Sequence, residues 1–219
     1  MNTKGRFITF EGPDTAGKTV LLNKLQTALP LIYPDETFLF TREPGNLLNG
    51  NFNKSETIRE KLLTDRTLTA KQQAKLFAES RYYHVIDIIK ALNEGKHVLT
   101  DRFLFSSIIY QGLELGFQEV LEMNKETLQL LANNNIDINN IVLQISTDTY
   151  EERMSSRVKD AMEDIEQSKI YDRIMYHNLV RTVNEMLGNQ LGNIYSIDAN
   201  QKQPSVTIEA LNHINKILR

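Results

Sequence analysis

Apolar residues along this chain alternate between short continuous runs and longer segments with three- and four-residue spacing. Short runs are typical of buried strands, and the spaced segments are typical of amphipathic helices. The runs predict five strands, at Arg6–Phe10, Thr37–Thr41, His97–Thr100, Ile141–Ile145 and Asn193–Ile197. The spaced segments predict helices from Lys18 onward and at Ser55–Thr64, Ala70–Leu92, Phe103–Leu115, Lys125–Ala132, Tyr150–Ser156, Tyr171–Leu187 and Ser205–Leu218.

This alternation predicts an α/β fold in three layers, with a five-stranded parallel sheet covered by helices on both faces. We find no internal repeat and no linker, so we expect a single domain over residues 1–219. The asparagine-rich stretch "NNNIDINN" from Asn133 is interpreted as a loop before a buried strand. Gly95 is predicted to end the helix that precedes the third strand.

A glycine-rich turn follows the first predicted strand. The stretch "GPDTAGKT" fits G-x-x-x-x-G-K-T, the P-loop pattern, from Gly12 to Thr19. Glycines let successive N–H groups point at an anion, Lys18 adds a charge for the outer phosphates, and the Thr19 hydroxyl suits Mg²⁺. The loop runs into a helix N-terminus, which also favours phosphate. The alternative is a plain glycine turn with a surface lysine, but the pattern favours a nucleoside triphosphate site.

Composition narrows the function without identifying it. The 41% hydrophobic and 24% charged residues are ordinary for a soluble globular protein, and the net charge of -3 predicts no attraction to nucleic acid or anionic membranes. The chain has no cysteine, and its four histidines are scattered, so a disulfide scaffold or a transition-metal site is not expected. No apolar run reaches membrane length, and no signal-peptide core is visible, so we expect a cytoplasmic protein.

Charged residues also follow the second and third strands. "TREPG" places Arg42 and Glu43 after the second strand, and "TDRF" places Asp101 and Arg102 after the third. Ligands of open parallel sheets bind at the carboxyl ends of the strands, so these groups should meet the P-loop at one edge. Asp101 could help hold Mg²⁺ or could cap the next helix, and Arg102 could grip a phosphate bidentately or remain solvated.

Two predicted helices carry possible base-reading residues. Gln111 lies on the helix after Arg102 and could form two hydrogen bonds with a pyrimidine edge, or be an ordinary polar helix residue. Phe77 and Arg81 are four apart and share one helix face, where they could stack on a base and bond its carbonyl. Phe77 taken alone is better explained as a core residue.

Together these motifs resemble the thymidylate kinase family of P-loop nucleoside monophosphate kinases. The resemblance runs in order through "FITFEGPDTAGKT", "TREPG", "IREKLL", "LFAESR", "DRFLFSSIIYQG" and "RMSSRVKDAMEDIEQ" and covers roughly the whole chain. The combination of "TREPG" with "DRF..SS..YQG" is more specific to the family than the P-loop. The resemblance implies a P-loop kinase fold with a short lid, at about 153–168, ATP as phosphoryl donor, Mg²⁺, and a homodimer.

The resemblance also implies roles for individual residues. Asp14 would face the acceptor sugar's 3′-hydroxyl beside Glu43, which would explain an acid inside the P-loop. Lys18 would follow the transferred group. The residues implied for ATP are Gly12, Pro13, Asp14, Thr15, Ala16, Gly17, Lys18 and Thr19, and those for Mg²⁺ are Thr19 and Asp101. The residues implied for dTMP are Asp14, Arg42, Glu43, Arg59, Phe77, Arg81, Arg102, Ser106, Ser107 and Gln111.

The chain departs from the family in two places. "REPGGT" is replaced by a longer, asparagine-rich loop after Gly45. The P-loop contains no arginine, and the usual lid position of a catalytic arginine falls on Glu163 or Asp164. We therefore expect Arg157 to be the catalytic cation beside Lys18, Arg42 and Arg102, with Arg153 as support and Lys159 third. The alternative is that Arg153 and Arg157 pair with Glu151, Glu152 or solvent.

The expected activity is ATP-dependent phosphorylation of dTMP to dTDP. Two alternatives are a deoxynucleoside kinase, whose acceptor is a hydroxyl, and a nucleotide-binding protein made catalytically weak by its altered lid. Three arginines for the acceptor phosphate, Arg42, Arg59 and Arg102, favour a monophosphate over a nucleoside.

Overall fold

A computed structural model describes residues 4–48, 53–158, 183, 185 and 191–219, without the side chains of residues 156–158. Its centre is a five-stranded sheet in the order β2-β3-β1-β4-β5, with parallel pairing throughout. The strands are β1 (Phe7–Glu11), β2 (Phe38–Arg42), β3 (His97–Asp101), β4 (Ile138–Gln144) and β5 (Asn193–Asp198). The predicted parallel α/β sheet is confirmed.

Helices cover both faces of this sheet. They are α1 (Lys18–Ile32), α2 (Lys54–Thr64), α3 (Ala70–Asn93), α4 (Leu104–Leu115), α5 (Phe117–Met123), α6 (Lys125–Asn133), α7 (Thr147–Val158) and α8 (Gln203–Leu218). Of the predicted helix Tyr171–Leu187, only Val183 and Glu185 lie among the described residues, and both are helical. Within the described ranges, no helix is long and apolar enough to cross a membrane.

Two hydrophobic cores lie on opposite faces of the sheet. Phe7 of β1 packs in the core with α3 and α4, whereas its neighbour Ile8 packs in the core with α1 and α8. Successive strand residues point to opposite faces, so each strand contributes to both cores. This burial on both faces explains why the strands are continuous apolar runs.

The chain order places a ligand crevice beside β1. From β1 the chain builds β2 and β3 on one side of the sheet, and later β4 and β5 on the other. Such a reversal of strand order leaves an opening at the carboxyl ends of the central strands. The P-loop follows β1 at this point, and Arg42 and Arg102 lie at the carboxyl ends of β2 and β3 on one side of it.

One prediction about local structure was wrong, and one short helix was not predicted. The stretch after Asn133 is not all loop, because β4 begins at Ile138 and buries Asn139 and Asn140. The Asn140 amide donates to the carbonyl oxygen of Leu191 at 2.8 Å and accepts from the Thr9 hydroxyl at 2.8 Å, which satisfies a polar group inside the sheet. The short helix α5 was missed, because seven residues carry too little periodicity.

Candidate active site

The P-loop has the backbone that its glycines predict. Gly12 has φ 149° and Gly17 has φ 90°, conformations that side chains rarely allow. A Cβ on Gly12 would stand 2.7 Å from the Leu143 carbonyl oxygen, so the loop also lies close to β4. The loop ends where α1 begins at Lys18, as expected for an anion site at a helix N-terminus.

Lys18 is buried inside the turn that it closes. Its Nζ donates to the carbonyl oxygens of Gly12 at 3.0 Å and Pro13 at 2.8 Å. Burial, with a smaller contribution from the nearby Arg102 charge, lowers the pKa of Lys18 to about 7. An anion bound in the loop would therefore stabilise the charged form of Lys18.

Thr19 and Asp101 bring oxygen atoms together beside the P-loop. The Thr19 hydroxyl donates to Asp101 Oδ2 at 3.3 Å, and Asp101 Oδ1 is buried with no hydrogen-bond partner in the described part of the chain. Mg²⁺ prefers oxygen ligands and is held in kinases by one or two protein groups together with phosphates. This pair fits such an ion. No cluster of three or more His, Cys, Asp or Glu residues suited to a metal occurs among the described residues.

Arg42 ends β2, and Arg59 lies on α2 close enough for the two charges to interact. Arg42 Nη2 pairs with Glu56 Oε2 at 3.0 Å, and Arg59 Nη1 donates to the Pro44 carbonyl oxygen at 2.7 Å. Burial and the neighbouring Arg42 charge lower the pKa of Arg59 below its ordinary value. Arg42 Nε is buried and has no partner among the described residues. Two cations held close together are suited to an anion.

Arg102 lies at the carboxyl end of β3 and reaches the P-loop. Its guanidinium donates to Asp14 Oδ1 at 2.5 Å, to the Gly12 carbonyl oxygen at 2.9 Å and to Ser106 Oγ at 2.9 Å. Its φ of 67° is uncommon for a residue with a side chain. The structure therefore brings together Asp14, Arg102 and Ser106, which the sequence placed on two separate motifs.

The Arg81 side chain is almost completely buried. Its Nε donates to Glu43 Oε2 at 2.8 Å, Nη1 to Asn124 Oδ1 at 2.6 Å, and Nη2 to Ser107 Oγ at 2.7 Å. Glu43 also contacts His84 Nδ1 at 3.1 Å. Arg81, Glu43 and Ser107 are thus joined in one network, while the base-reading role of Arg81 stays a prediction.

Phe77 and Gln111 are partly exposed, and each lies about one helical turn from a member of this network, Arg81 and Ser107 respectively. Phe77 is half-buried on α3 and belongs to neither hydrophobic core, which argues against the core interpretation. Gln111 is half-buried on α4, and its Oε1 is buried without a hydrogen-bond partner in the described ranges. A buried amide oxygen of this kind could accept a hydrogen bond from a ligand.

One open cavity of about 510 Å³ collects most of the predicted site residues. Its lining contains part of the P-loop, both strand-end arginines and the two acids beside them. The lining residues are Asp14, Thr15, Gly17, Lys18, Thr19, Val20, Arg42, Glu43, Arg59, Asp101, Arg102, Arg153 and Gln203. Of the other predicted residues, Gly12, Pro13 and Ala16 belong to the same loop, and Arg81, Ser106 and Ser107 hydrogen-bond to its lining or to one another.

The β4–β5 side of the cavity is formed by Arg153 and Gln203. Arg153 on α7 donates to the carbonyl oxygens of Thr15 at 3.2 Å and Ala199 at 2.8 Å, which places its guanidinium beside the P-loop. The side chain of Arg157 lies outside the described residues, as do Lys159 and most of the predicted lid at 153–168.

Several residues of the site were missed by the sequence analysis. Four of them hydrogen-bond to predicted residues: Glu11, Glu56, His84 and Asn124. A fifth, Gln203, lines the cavity. A signal existed for Glu11, an acid placed between an apolar strand and the first P-loop glycine. His84 follows Arg81 by three residues and so shares its helix face, which is a weaker signal. The contacts of Asn124 and Gln203 depend on packing alone.

Comparison with known proteins agrees with this geometry. The family model described as "Thymidylate kinase" matches residues 10–209. The chain is 36% identical to the thymidylate kinase of Oenococcus oeni, over 99% of this chain and 98% of that protein. It is 30% identical to that of Mycoplasma mobile, over 97% of this chain and 99% of the relative.

A solved structure has the same fold. The crystal structure of thymidylate kinase from Ehrlichia chaffeensis superposes with a TM-score of 0.67 and 23% identity, over 97% of this chain and 99% of that chain. The similarities in sequence extend over nearly the full length of the chain, and they include the region that builds the cavity. This chain belongs to the thymidylate kinase family.

Proposed function

We propose that this protein transfers the γ-phosphoryl group of ATP to dTMP and produces dTDP and ADP. The observation that carries this proposal is the convergence of Lys18, Arg42, Arg59 and Arg102 on the one cavity at the P-loop. Family membership supports both the donor and the acceptor. Thr15, Arg42, Asp101 and Gln203, all in the lining, each carry a buried polar atom with no partner among the described residues.

Positioning and charge would account for most of the catalysis. The phosphate of a nucleoside monophosphate is already a nucleophile near neutral pH, so no strong general base is needed. Arg42, Arg59 and Arg102 would hold it in line with the ATP phosphates in the P-loop, and Lys18 would neutralise charge that spreads over the transferring group. Asp14 is held by Arg102 and would face the acceptor.

Mg²⁺ would bind at Thr19 and Asp101 and would supply a positive charge to the donor phosphates. The base would be read by Phe77, Arg81 and Gln111, of which Gln111 presents a buried acceptor without a partner in the described ranges. The homodimer, the cytoplasmic location and the single-domain arrangement stay predictions.

A labelling experiment tests the proposal. The purified protein is incubated with ATP labelled in its γ-phosphate, Mg²⁺ and either dTMP or thymidine, and nucleotide binding is measured in the same sample. We expect label in dTDP with dTMP and no labelled product with thymidine. Binding of both nucleotides without dTDP would favour the catalytically weak alternative, and labelled dTMP from thymidine would favour a nucleoside kinase.

A further inference from the structure

Glu11 is a buried acid that the proposed mechanism does not use. It ends β1 and is fully inaccessible to solvent. Its Oε1 accepts from the backbone N–H of Phe103 at 2.8 Å, and its Oε2 accepts from the Ser106 hydroxyl at 2.5 Å. Burial raises the pKa of Glu11, while the Ser106 hydrogen bond and the Arg102 charge act in the opposite direction.

The Ser106 hydroxyl connects Glu11 to Arg102. It donates its hydrogen to Glu11 and accepts from Arg102 Nη1 at 2.9 Å. Both carboxyl oxygens of Glu11 accept, so the hydroxyl hydrogen of Ser106 points away from Arg102 and a lone pair of its oxygen faces the guanidinium. Ser106 thus links the Arg102 side chain to an acid that does not itself line the cavity.

The same acid also supports the backbone beside Arg102. Arg102 has φ 67°, a conformation that costs free energy unless neighbouring contacts maintain it. Its own N–H donates to the Phe10 carbonyl oxygen at 3.0 Å, and the next N–H, that of Phe103, donates to Glu11. Two consecutive N–H groups are thus bound to the last two residues of β1.

We propose that Glu11 is a positioning residue, which fixes the Arg102 guanidinium toward the acceptor phosphate through Ser106 and through the Phe103 N–H. The proposal rests on the proposed function, since that function supplies the phosphate that Arg102 grips. A guanidinium held in one direction can bind a phosphate bidentately without first losing freedom of movement.

Steady-state kinetics of Glu11→Gln and Ser106→Ala provide the first test. Glutamine keeps the size of Glu11 and an acceptor for Phe103, but it places an amide donor against Ser106. We expect KM for dTMP to rise about 10- to 100-fold, as for loss of a hydrogen bond to a charged group, with KM for ATP within about twofold of wild type. Because both substitutions disturb the same path through Ser106, the double variant should lose little more than either single variant.

Thr9→Val is the matched control. Thr9 is buried on the same strand and bonds Asn140 at 2.8 Å, with no described contact to Arg102. It should change the melting temperature without changing KM for dTMP. If Glu11→Gln and Ser106→Ala behaved like Thr9→Val, with altered stability and unchanged KM values, the positioning role would be rejected.

A spectroscopic measurement separates this inference from the proposed function. The guanidinium ¹⁵N resonances of Arg102, assigned with Arg102→Lys, should report slow rotation in the wild type and faster averaging in Glu11→Gln and Ser106→Ala. Unchanged resonances in both variants would overturn the inference whatever the substrate. Faster averaging in a protein that does not phosphorylate dTMP would support the inference and reject the proposed function.

Discussion

Arg81 and Glu43 form an ion pair of 2.8 Å in which the side chains are only 1% and 4% exposed. Glu43 is also bonded to His84, whose other ring nitrogen lies 2.9 Å from the Thr41 hydroxyl. These partners suit the tautomer in which His84 donates through Nδ1 to Glu43 and accepts through Nε2 from Thr41. The pair connects the end of β2 to the middle of α3, and so it links the residues predicted to bind the acceptor phosphate to those predicted to read the base.

Removal of one partner of this pair should destabilise the protein strongly. Glu43→Ala leaves the Arg81 guanidinium buried without its carboxylate, and we expect the free energy of unfolding to fall by about 3–5 kcal/mol. Urea denaturation measures this change. Lys71→Ala is the control, because the Lys71–Glu119 pair is 59% and 41% exposed and its loss should change stability little. Equal effects of the two substitutions would contradict the buried network.

Binding of ATP should take up a proton above neutral pH. Burial lowers the pKa of free Lys18 to about 7, and phosphate favours its charged form, so the bound pKa is higher. At pH 8, calorimetry of MgATP binding in buffers with different ionisation enthalpies should report net proton uptake, and the affinity should decline as the pH rises above about 7. Lys18→Met should bind with no pH-dependent uptake in this range.

The lowered pKa of Lys18 also affects the stability of the nucleotide-free protein. An unfolded lysine titrates near 10.5, so between about pH 7 and 10.5 the folded state binds fewer protons than the unfolded state. Below about pH 7 Lys18 is charged in both states, and its burial lowers the free energy of unfolding by the full amount. This loss of stability disappears as the pH rises from about 7 to 10.5. Stability should therefore increase with pH by an amount that Lys18→Met abolishes.

Substitution of Arg102 should mainly impair the use of dTMP, whereas substitution of Lys18 should mainly reduce turnover. Arg102→Ala removes a predicted acceptor-phosphate ligand, and we expect dTMP use to fall severely while ATP binding remains nearly intact. Lys18→Ala removes the charge that follows the transferred group, and turnover should fall severely. Titrations with ATP and dTMP, combined with kcat measurements, distinguish the two variants. Normal dTMP binding and turnover in Arg102→Ala would reject the acceptor-site assignment.

The lid cation can be identified by alanine substitution at saturating ATP and dTMP. We expect Arg157→Ala to lose turnover by orders of magnitude with little change in ligand affinity, because an arginine at the transferring group acts mainly in the transition state. Arg153→Ala should have a smaller effect, since Arg153 donates to the carbonyl oxygens of Thr15 and Ala199. Wild-type turnover in Arg153→Ala, Arg157→Ala and Lys159→Ala would show that the lid supplies no catalytic cation.

The layered fold was predictable because its strands are apolar on both faces. Each of the five predicted strands overlaps an observed one, and the largest displacement is in β4, which begins at 138 and not at 141. That displacement arises because the asparagine-rich pattern favours a loop at Asn139 and Asn140. Their amides are satisfied by the backbone of neighbouring strands and by Thr9, which no local pattern could indicate.

The candidate site was predictable as far as it lies at strand ends. P-loop spacing and the charges after β2 and β3 identified most of the cavity lining, because parallel strands bring their carboxyl ends to one edge. The supporting contacts were not predictable. Arg81 contacts Glu43 and Asn124, which are 38 and 43 residues away in the sequence. These contacts depend on how α3 packs against the end of β2 and the start of α6.

The catalytic efficiencies for dTMP, dUMP, dCMP and thymidine, measured with ATP in one coupled assay, test the central claim most directly. Base reading by Gln111 and Arg81 predicts that dTMP exceeds dCMP by roughly 5- to 150-fold, since the exocyclic amine of cytosine would leave polar groups unpaired at about 1–3 kcal/mol. Binding of the acceptor phosphate by Arg42, Arg59 and Arg102 predicts no detectable turnover of thymidine. Equal efficiency with dCMP and dTMP, or phosphorylation of thymidine in place of dTMP, would contradict the account.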